Sequence, residues 1–207
     1  MRNGSRWFLV ATCLVLGFSG AAVAGDVNVW FGQKSLEEND WAPVEDQTQF
    51  GVMMNFGNID WPVSIAVDIF QSSDDAAVDY GYGYGYYGYY VLVDKVEGKT
   101  TEIDVGTRWI WDNHDTLKPY AGVGLAWVSG EFEVTGEIID KQSFGSFSES
   151  VDDSAVGLWV NGGFMWRATG SFNLGLDLRY SSADVEILGF DVDAGGLHYG
   201  VFAGYHW

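Results

Sequence analysis

The chain has 207 residues, 47% of them hydrophobic and 16% aromatic, and a net charge of −19 at neutral pH. That apolar content is too high for a disordered acidic chain, and the charge has the wrong sign for gripping nucleic-acid phosphates. The length suits one domain, in which the charge must be kept apart from an apolar surface.

Residues 1–24 read as a secretory signal peptide. Arg2 and Arg6 lead, 7–18 is mostly apolar, and Ala22-Val23-Ala24 supplies the small-x-small cleavage pattern. The apolar stretch falls short of the roughly 20 residues that cross a bilayer as a helix. Cleavage would leave 25–207 as the mature domain. It would lack cysteine, because Cys13 departs, and its net charge would be −21, because two arginines and no acid are removed.

Beyond the signal the residues alternate with the period of a strand. Segment 26–32 sets Val27, Val29 and Phe31 on one face, and 47–57 does the same with Phe50, Val52, Met54 and Phe56. Trp61, Val63, Ile65, Val67 and Ile69 follow, opposite Asp68. Then Ile103, Val105, Trp109 and Trp111 oppose Glu102, Asp104 and Arg108. In 120–127, Val123, Leu125 and Trp127 face glycines, and in 158–167 Leu158, Val160, Phe164 and Trp166 oppose Asn161 and Arg167. Trp159 and Met165 are large exceptions on that polar side. Phe172, Leu174, Leu176 and Leu178 oppose Asp177 and Arg179, and the last segment sets Leu197, Tyr199, Val201, Tyr205 and Trp207 against His198 and His206.

Asp68, Glu102, Asp104, Arg108, Arg167, Asp177 and Arg179 all lie on the polar or small faces, and the apolar faces carry no Asp, Glu, Lys, Arg or His. A soluble sandwich or barrel turns its apolar face inward and keeps charge outside. In a membrane barrel the order inverts, because a lipid-facing Arg or Lys at the midplane costs about 2–4 kcal/mol. Open strand edges are also forbidden in lipid. The expectation is an all-β fold: an eight-stranded antiparallel up-and-down transmembrane β-barrel.

The connections 57–60, 112–117 and 168–171 are short, whereas 33–46, 71–99, 129–153 and 182–195 are long, so short periplasmic turns and long extracellular loops are expected. Residues 91–99 share the outward parity of the fourth segment and leave eight or ten strands open. Phe56, Trp61, Trp111, Trp166, Phe172 and Trp207 fall at strand ends beside the short turns or the terminus, an aromatic girdle.

The strand start Lys118-Pro119-Tyr120-Ala121-Gly122-Val123-Gly124 and the terminus Gly204-Tyr205-His206-Trp207, after an export signal, resemble the outer-membrane β-barrel superfamily typified by the transmembrane domain of outer membrane protein A. The likeness covers essentially all of 25–207. It implies an outer-membrane location, lipid as surroundings, and Tyr205 and Trp207 as the assembly signal read by the barrel-insertion machinery. Trp207 stands where the family usually has Phe, and no peptidoglycan-binding domain follows, so tethering of the envelope is not implied.

The inward charges suit either a plugged network of ion pairs or a small-solute channel. The plug is preferred, since eight strands leave an interior that side chains can fill and buried charges must be paired. Gly122, Gly124, Gly175, Gly200 and Gly204 make room for long side chains or close strand packing. Gly83, Gly85 and Gly88 match a dinucleotide fingerprint in form only, because 79–90 is Tyr/Gly-rich low complexity without the following helix that motif needs. Such a tract suits surface recognition or a strand extension. The long loops hold most of the acidic residues, with Lys34, Lys95, Lys99 and Lys141, and are candidates for divalent cations or surface ligands. A lipid-modifying enzyme would need a Ser beside a carboxylate-held His. His114, His198 and His206 have no Ser two residues away, so catalysis, cofactors and dedicated metal ligation are not expected. The preferred role is structural or surface-interacting.

Overall fold

The computed structural model describes residues 24–57, 63–84, 89–111, 116–140, 144–167, 171–187 and 189–207. The signal segment through Val23, Trp61 and His114 lie outside them. Strands β1 (Ala24–Ser35), β2 (Asp46–Gly57), β3 (Val63–Tyr84), β4 (Tyr89–Ile110), β5 (Leu117–Asp140), β6 (Phe144–Arg167), β7 (Phe172–Ser182) and β10 (Gly196–His206) close into an antiparallel ring of eight. Each strand pairs with its sequence neighbour, and β1 pairs with β10 to complete the circle. A short hairpin, β8 (Asp184–Ile187) and β9 (Phe190–Asp193), stands apart from the ring, and one helical turn, α1 (Glu38–Trp41), joins β1 to β2.

Closure follows from the alternation. Outward positions carry Val29, Phe31, Phe50, Ile65, Val105, Val123, Leu125, Leu158, Val160, Leu176, Leu178 and Val201, all exposed, while the buried side chains between them are polar, aromatic or small, together with Met53 and Met165. A ring also leaves none of its eight strands with an edge along this apolar zone, which is what lipid requires. At the usual rise and tilt, 172–180 alone makes a band roughly 25 Å tall. The outward residues turn polar at Gln33, Thr48, Gln71, Thr101, Ser129, Ser154 and Ser182, which marks the upper limit of the band.

Two of the expected loops are strands. Residues 71–84 and 89–99 extend β3 and β4, and 129–140 and 144–153 extend β5 and β6, so four strands rise beyond the band as a paired sheet. The count is therefore eight, with 91–99 lengthening β4 rather than adding strands. The physical reason is an inversion of the alternation. Above the band the inward positions become apolar: Ala76, Val96 and Val134 lie in register on β3, β4 and β5, and Phe132 pairs with Val151. The outward positions there carry Asp75, Glu97, Glu131 and Glu133. Water outside and an apolar filling inside demand that order, just as lipid outside demands the opposite order below.

Residues 33–35 likewise belong to β1, which turns Lys34 inward and buries it. Interior aromatics explain the glycines better than interior charges do. A Cβ at Gly106 or Gly124 would lie 2.8 Å from the Trp159 ring, and one at Gly32 or Gly200 within 2.7 Å of Trp30. Trp159 and Met165, the exceptions of the sixth segment, are buried inside the ring.

Candidate functional site

The interior is stacked in tiers. Nearest the chain ends, Asp26 accepts hydrogen bonds from Asn28 (2.6 Å) and Asn55 (2.7 Å), and Asn173 donates to Asn28 at 3.2 Å. Arg167 lies at this rim, 27% exposed and 3.9 Å from Asp26, apart from the other charges.

The middle tier holds the densest charge. Arg108 donates to Asn55 and to Asp68, both at 2.7 Å. Arg179 donates to the same Asp68 oxygen and to Asp104, while its Nε lies 3.7 Å from Asp177. Asp177 accepts from the Tyr120 hydroxyl (2.6 Å) and the Asn161 amide (2.8 Å). Aromatic faces cover the cations: Arg179 lies 4.5 Å from the Phe70 ring centroid and 4.8 Å from that of Trp159, and Arg108 lies 5.4 Å from that of Tyr120. Each guanidinium thus meets both a carboxylate and a ring quadrupole, the two partners that make burying it tolerable.

In the upper tier Lys34 donates to Glu102 (3.1 Å), Thr100 (3.2 Å) and the Ala194 carbonyl (2.7 Å). Ser181 donates to Glu102 at 3.1 Å and contacts His198 Nε2 at 3.0 Å, while Gln49 Oε1 lies 2.9 Å from His198 Nδ1. The sequence reading missed this Ser–His contact because the residues sit on different strands. Its geometry differs from a hydrolytic triad, in which a carboxylate orients the far ring nitrogen. Here an amide holds that place, Glu102 lies on the serine side 3.6 Å from Nε2, and all four side chains are buried.

Over this tier sits an apolar cap. Leu36, Trp41 and Val44 from the β1–β2 connection, Val185, Ile187 and Ala194 around the β8–β9 hairpin, and Val96 and Val128 from the sheet form one buried cluster with Trp159 beneath. Trp41 donates its indole N–H to the Asp193 carbonyl at 2.9 Å, tying the connection to the hairpin across the mouth.

The structure therefore brings six of the seven inward charges singled out in the sequence into the two upper tiers and sets Arg167 aside. Lys34 and His198 join them in the upper tier, and Asn55 links the middle tier to Asp26 at the chain-end tier. Strand parity could have found Asp26 and Lys34, which share the even, inward register of β1 with the buried Trp30. Of the girdle residues, Trp111, Trp166, Phe172 and Trp207 are exposed and Phe56 is half-buried at the end bearing the chain termini. There Trp207 and Gly25 exchange backbone hydrogen bonds of 3.0 and 3.2 Å. Strands β3 and β4 carry the Tyr/Gly tract as far as Tyr84 and from Tyr89; 85–88 lie outside the described residues. Among the described residues no group of three or more His, Cys, Asp or Glu side chains is placed to hold a metal ion.

Solved structures share this ring. Ail, the attachment invasion locus protein of Yersinia pestis, superposes with a TM-score of 0.55 at 13% identity, covering 90% of this chain and 100% of that one. A major outer membrane protein of Thermus thermophilus gives 0.54 at 11% identity over the same shares. The chain has the fold of the eight-stranded outer-membrane barrels. This barrel's sequence matches no protein-family model and no curated protein. Ail has also been solved in complex with the heparin analogue sucrose octasulfate, with a TM-score of 0.54 at 12% identity, again over 90% of this chain and 100% of that one.

Proposed function

We propose that this barrel is exported by its signal segment to the outer membrane, where it crosses lipid with its ring, keeps its interior shut, and serves as a scaffold that presents the raised sheet and cap to the surroundings. The observation that carries this reading is the double seal: the ion-paired tier of Asp68, Asp104, Arg108 and Arg179 below, and the apolar cluster around Trp41 above. An ion entering from outside would meet an apolar layer and then charges that are already neutralised. The aromatic end and Trp207 fit insertion by the barrel-assembly machinery, with the termini on the periplasmic side. No catalytic role is proposed, because the Ser181 hydroxyl is sealed from lipid and its His198 lacks an orienting carboxylate. Polyanion binding like that of Ail is not proposed either, since the outer sheet and cap carry mostly acids.

Conductance of the mature, refolded barrel in a planar bilayer tests the seal. A silent membrane is expected. Discrete steps altered by Glu102→Gln or Arg108→Met would replace this reading with the second one, a narrow channel, which the charged interior favours.

A further inference from the structure

At the outer end a groove of about 350 Å³ opens between α1 and the β8–β9 hairpin, floored by Trp41, Phe132 and Ile187, with Phe190 on one wall. Phe190 is 72% exposed, more than any apolar side chain of the outward band, yet it belongs to the separate hairpin. Asp40 and Asp191 stand on its two sides, both exposed. Neither 35–47 nor 182–196 contains a lysine, arginine or histidine, so no cation of these two segments answers those carboxylates.

The groove is built in advance of any ligand. Trp41 donates to the Asp193 carbonyl at 2.9 Å, the Asp193 amide donates to Asp40 at 3.3 Å, and the Asp193 carboxylate accepts from Ala183 (3.0 Å) and Gly195 (2.8 Å). Trp41 and Phe132 meet edge to face at 6.3 Å. A wall set by these bonds loses little freedom on binding.

We infer that this groove docks a basic peptide segment of a partner protein, one with an arginine or lysine beside an apolar side chain; the inference rests on the proposed outward presentation of the cap. An aliphatic stem or aromatic ring would lie against Trp41 and Phe190, and the cationic head would reach Asp40 or Asp191. The chemistry is that of amphipathic side chains that bury their stems and keep their charge at the rim, reinforced by cation–π attraction. The volume is at the lower end of small-ligand sites and holds one or two side chains. The acidic sheet alongside, with Glu131, Glu133, Asp152 and Asp153, raises the local concentration of cations and speeds their arrival.

The test uses the mature barrel in nanodiscs of phosphatidylcholine, whose neutral headgroups do not attract the probe, and a dye-labelled hexapeptide of alternating arginine and tryptophan read by fluorescence anisotropy. Saturable binding is expected, weakened about tenfold or more by Phe190→Ser, and comparably by Asp40→Asn with Asp191→Asn. The pair Asp94→Asn with Glu149→Gln, both exposed and outside the groove, removes the same charge elsewhere and should leave binding within about twofold. Equal weakening by both acid pairs, retention in the Phe190→Ser variant, or full competition by tetramethylammonium would overturn the inference in favour of diffuse attraction or a small-cation site. Gel mobility with and without boiling checks each variant's barrel. A folded barrel that ignores the peptide sinks this inference and leaves the scaffold reading intact, whereas a conducting barrel sinks the seal and leaves the groove.

Discussion

The guanidinium of Arg179 lies 4.8 Å from the Trp159 ring centroid while donating to both Asp68 and Asp104. One side chain thereby neutralises two carboxylates contributed by β3 and β4 from its own position on β7. The barrel's opposite walls are joined through its centre.

Removing that cation should be far worse than removing a rim cation. Arg179→Ala leaves Asp68 with Arg108 alone and Asp104 without its ion pair, and a broken buried pair costs about 3–5 kcal/mol. Arg167→Ala, at a half-buried site with a 3.9 Å partner, should cost under about 1 kcal/mol. Urea unfolding in lipid vesicles, followed by tryptophan fluorescence, compares the two. Equal losses would show that the central ion pairs do not hold the walls together.

Space around Trp159 is the second point of stress. A Cβ at Gly124 would overlap the Val105 carbonyl and lie 2.6 Å from Gly106 Cα, so Gly124→Ala must push two strands apart. Gly145→Ala meets nothing within 4 Å. The first variant should fail to give the compact, heat-modifiable band on a gel, and the second should fold like the parent. Trp159→Ala, which opens a cavity instead, should fold but lose about 3–5 kcal/mol.

The cap should loosen without harm to the ring. Trp41→Ala removes the largest side chain that the β1–β2 connection gives to the apolar cluster, and with it the hydrogen bond to Asp193. Limited digestion of the folded protein with a protease that cuts after acidic residues should then cleave within 37–46 much faster, while the heat-modifiable band survives. Unchanged digestion would mean that Trp41 does not hold the connection over the mouth.

Above the band, Glu97 bridges Lys99 (2.7 Å) and Lys95 (3.3 Å), and Lys95 also reaches Asp75 at 3.3 Å. The hydrogen bond from Lys99, more than the field of the two ammonium groups, holds the Glu97 carboxyl below its ordinary 4.5. A carboxyl lowered on folding stabilises the folded sheet above its unfolded value. That contribution is lost as pH falls through the lowered folded value. Because the group is partly in water, Glu97→Gln should cost no more than about 1 kcal/mol near neutral pH, and the difference should shrink in high salt and vanish in acid. Carboxyl-carbon NMR titration of Glu97 should show the low value, and an ordinary titration would remove the bridge from the account.

The sequence alone determined the strand period, the outward faces, the inward charges and the places where the chain turns at the terminal end. Those features are local: a side chain's face follows from its parity, and lipid permits one composition on one face. Parity could equally have revealed the raised sheet, because the alternation runs unbroken through 129–138 and only its sense reverses, with Phe132 and Val134 inward and Glu131 and Glu133 outward. What parity could not say is which inward groups meet. Lys34 and Glu102, Ser181 and His198, and Trp41 and Asp193 come from distant segments, and closure of the ring alone sets their distances. The reach of β1 and β2 decided that α1 would fold over the mouth, and the isolated pairing of β8 with β9 decided that a groove would remain beside it. Neither outcome is encoded within a few residues, since each depends on how the far wall of the barrel supports it.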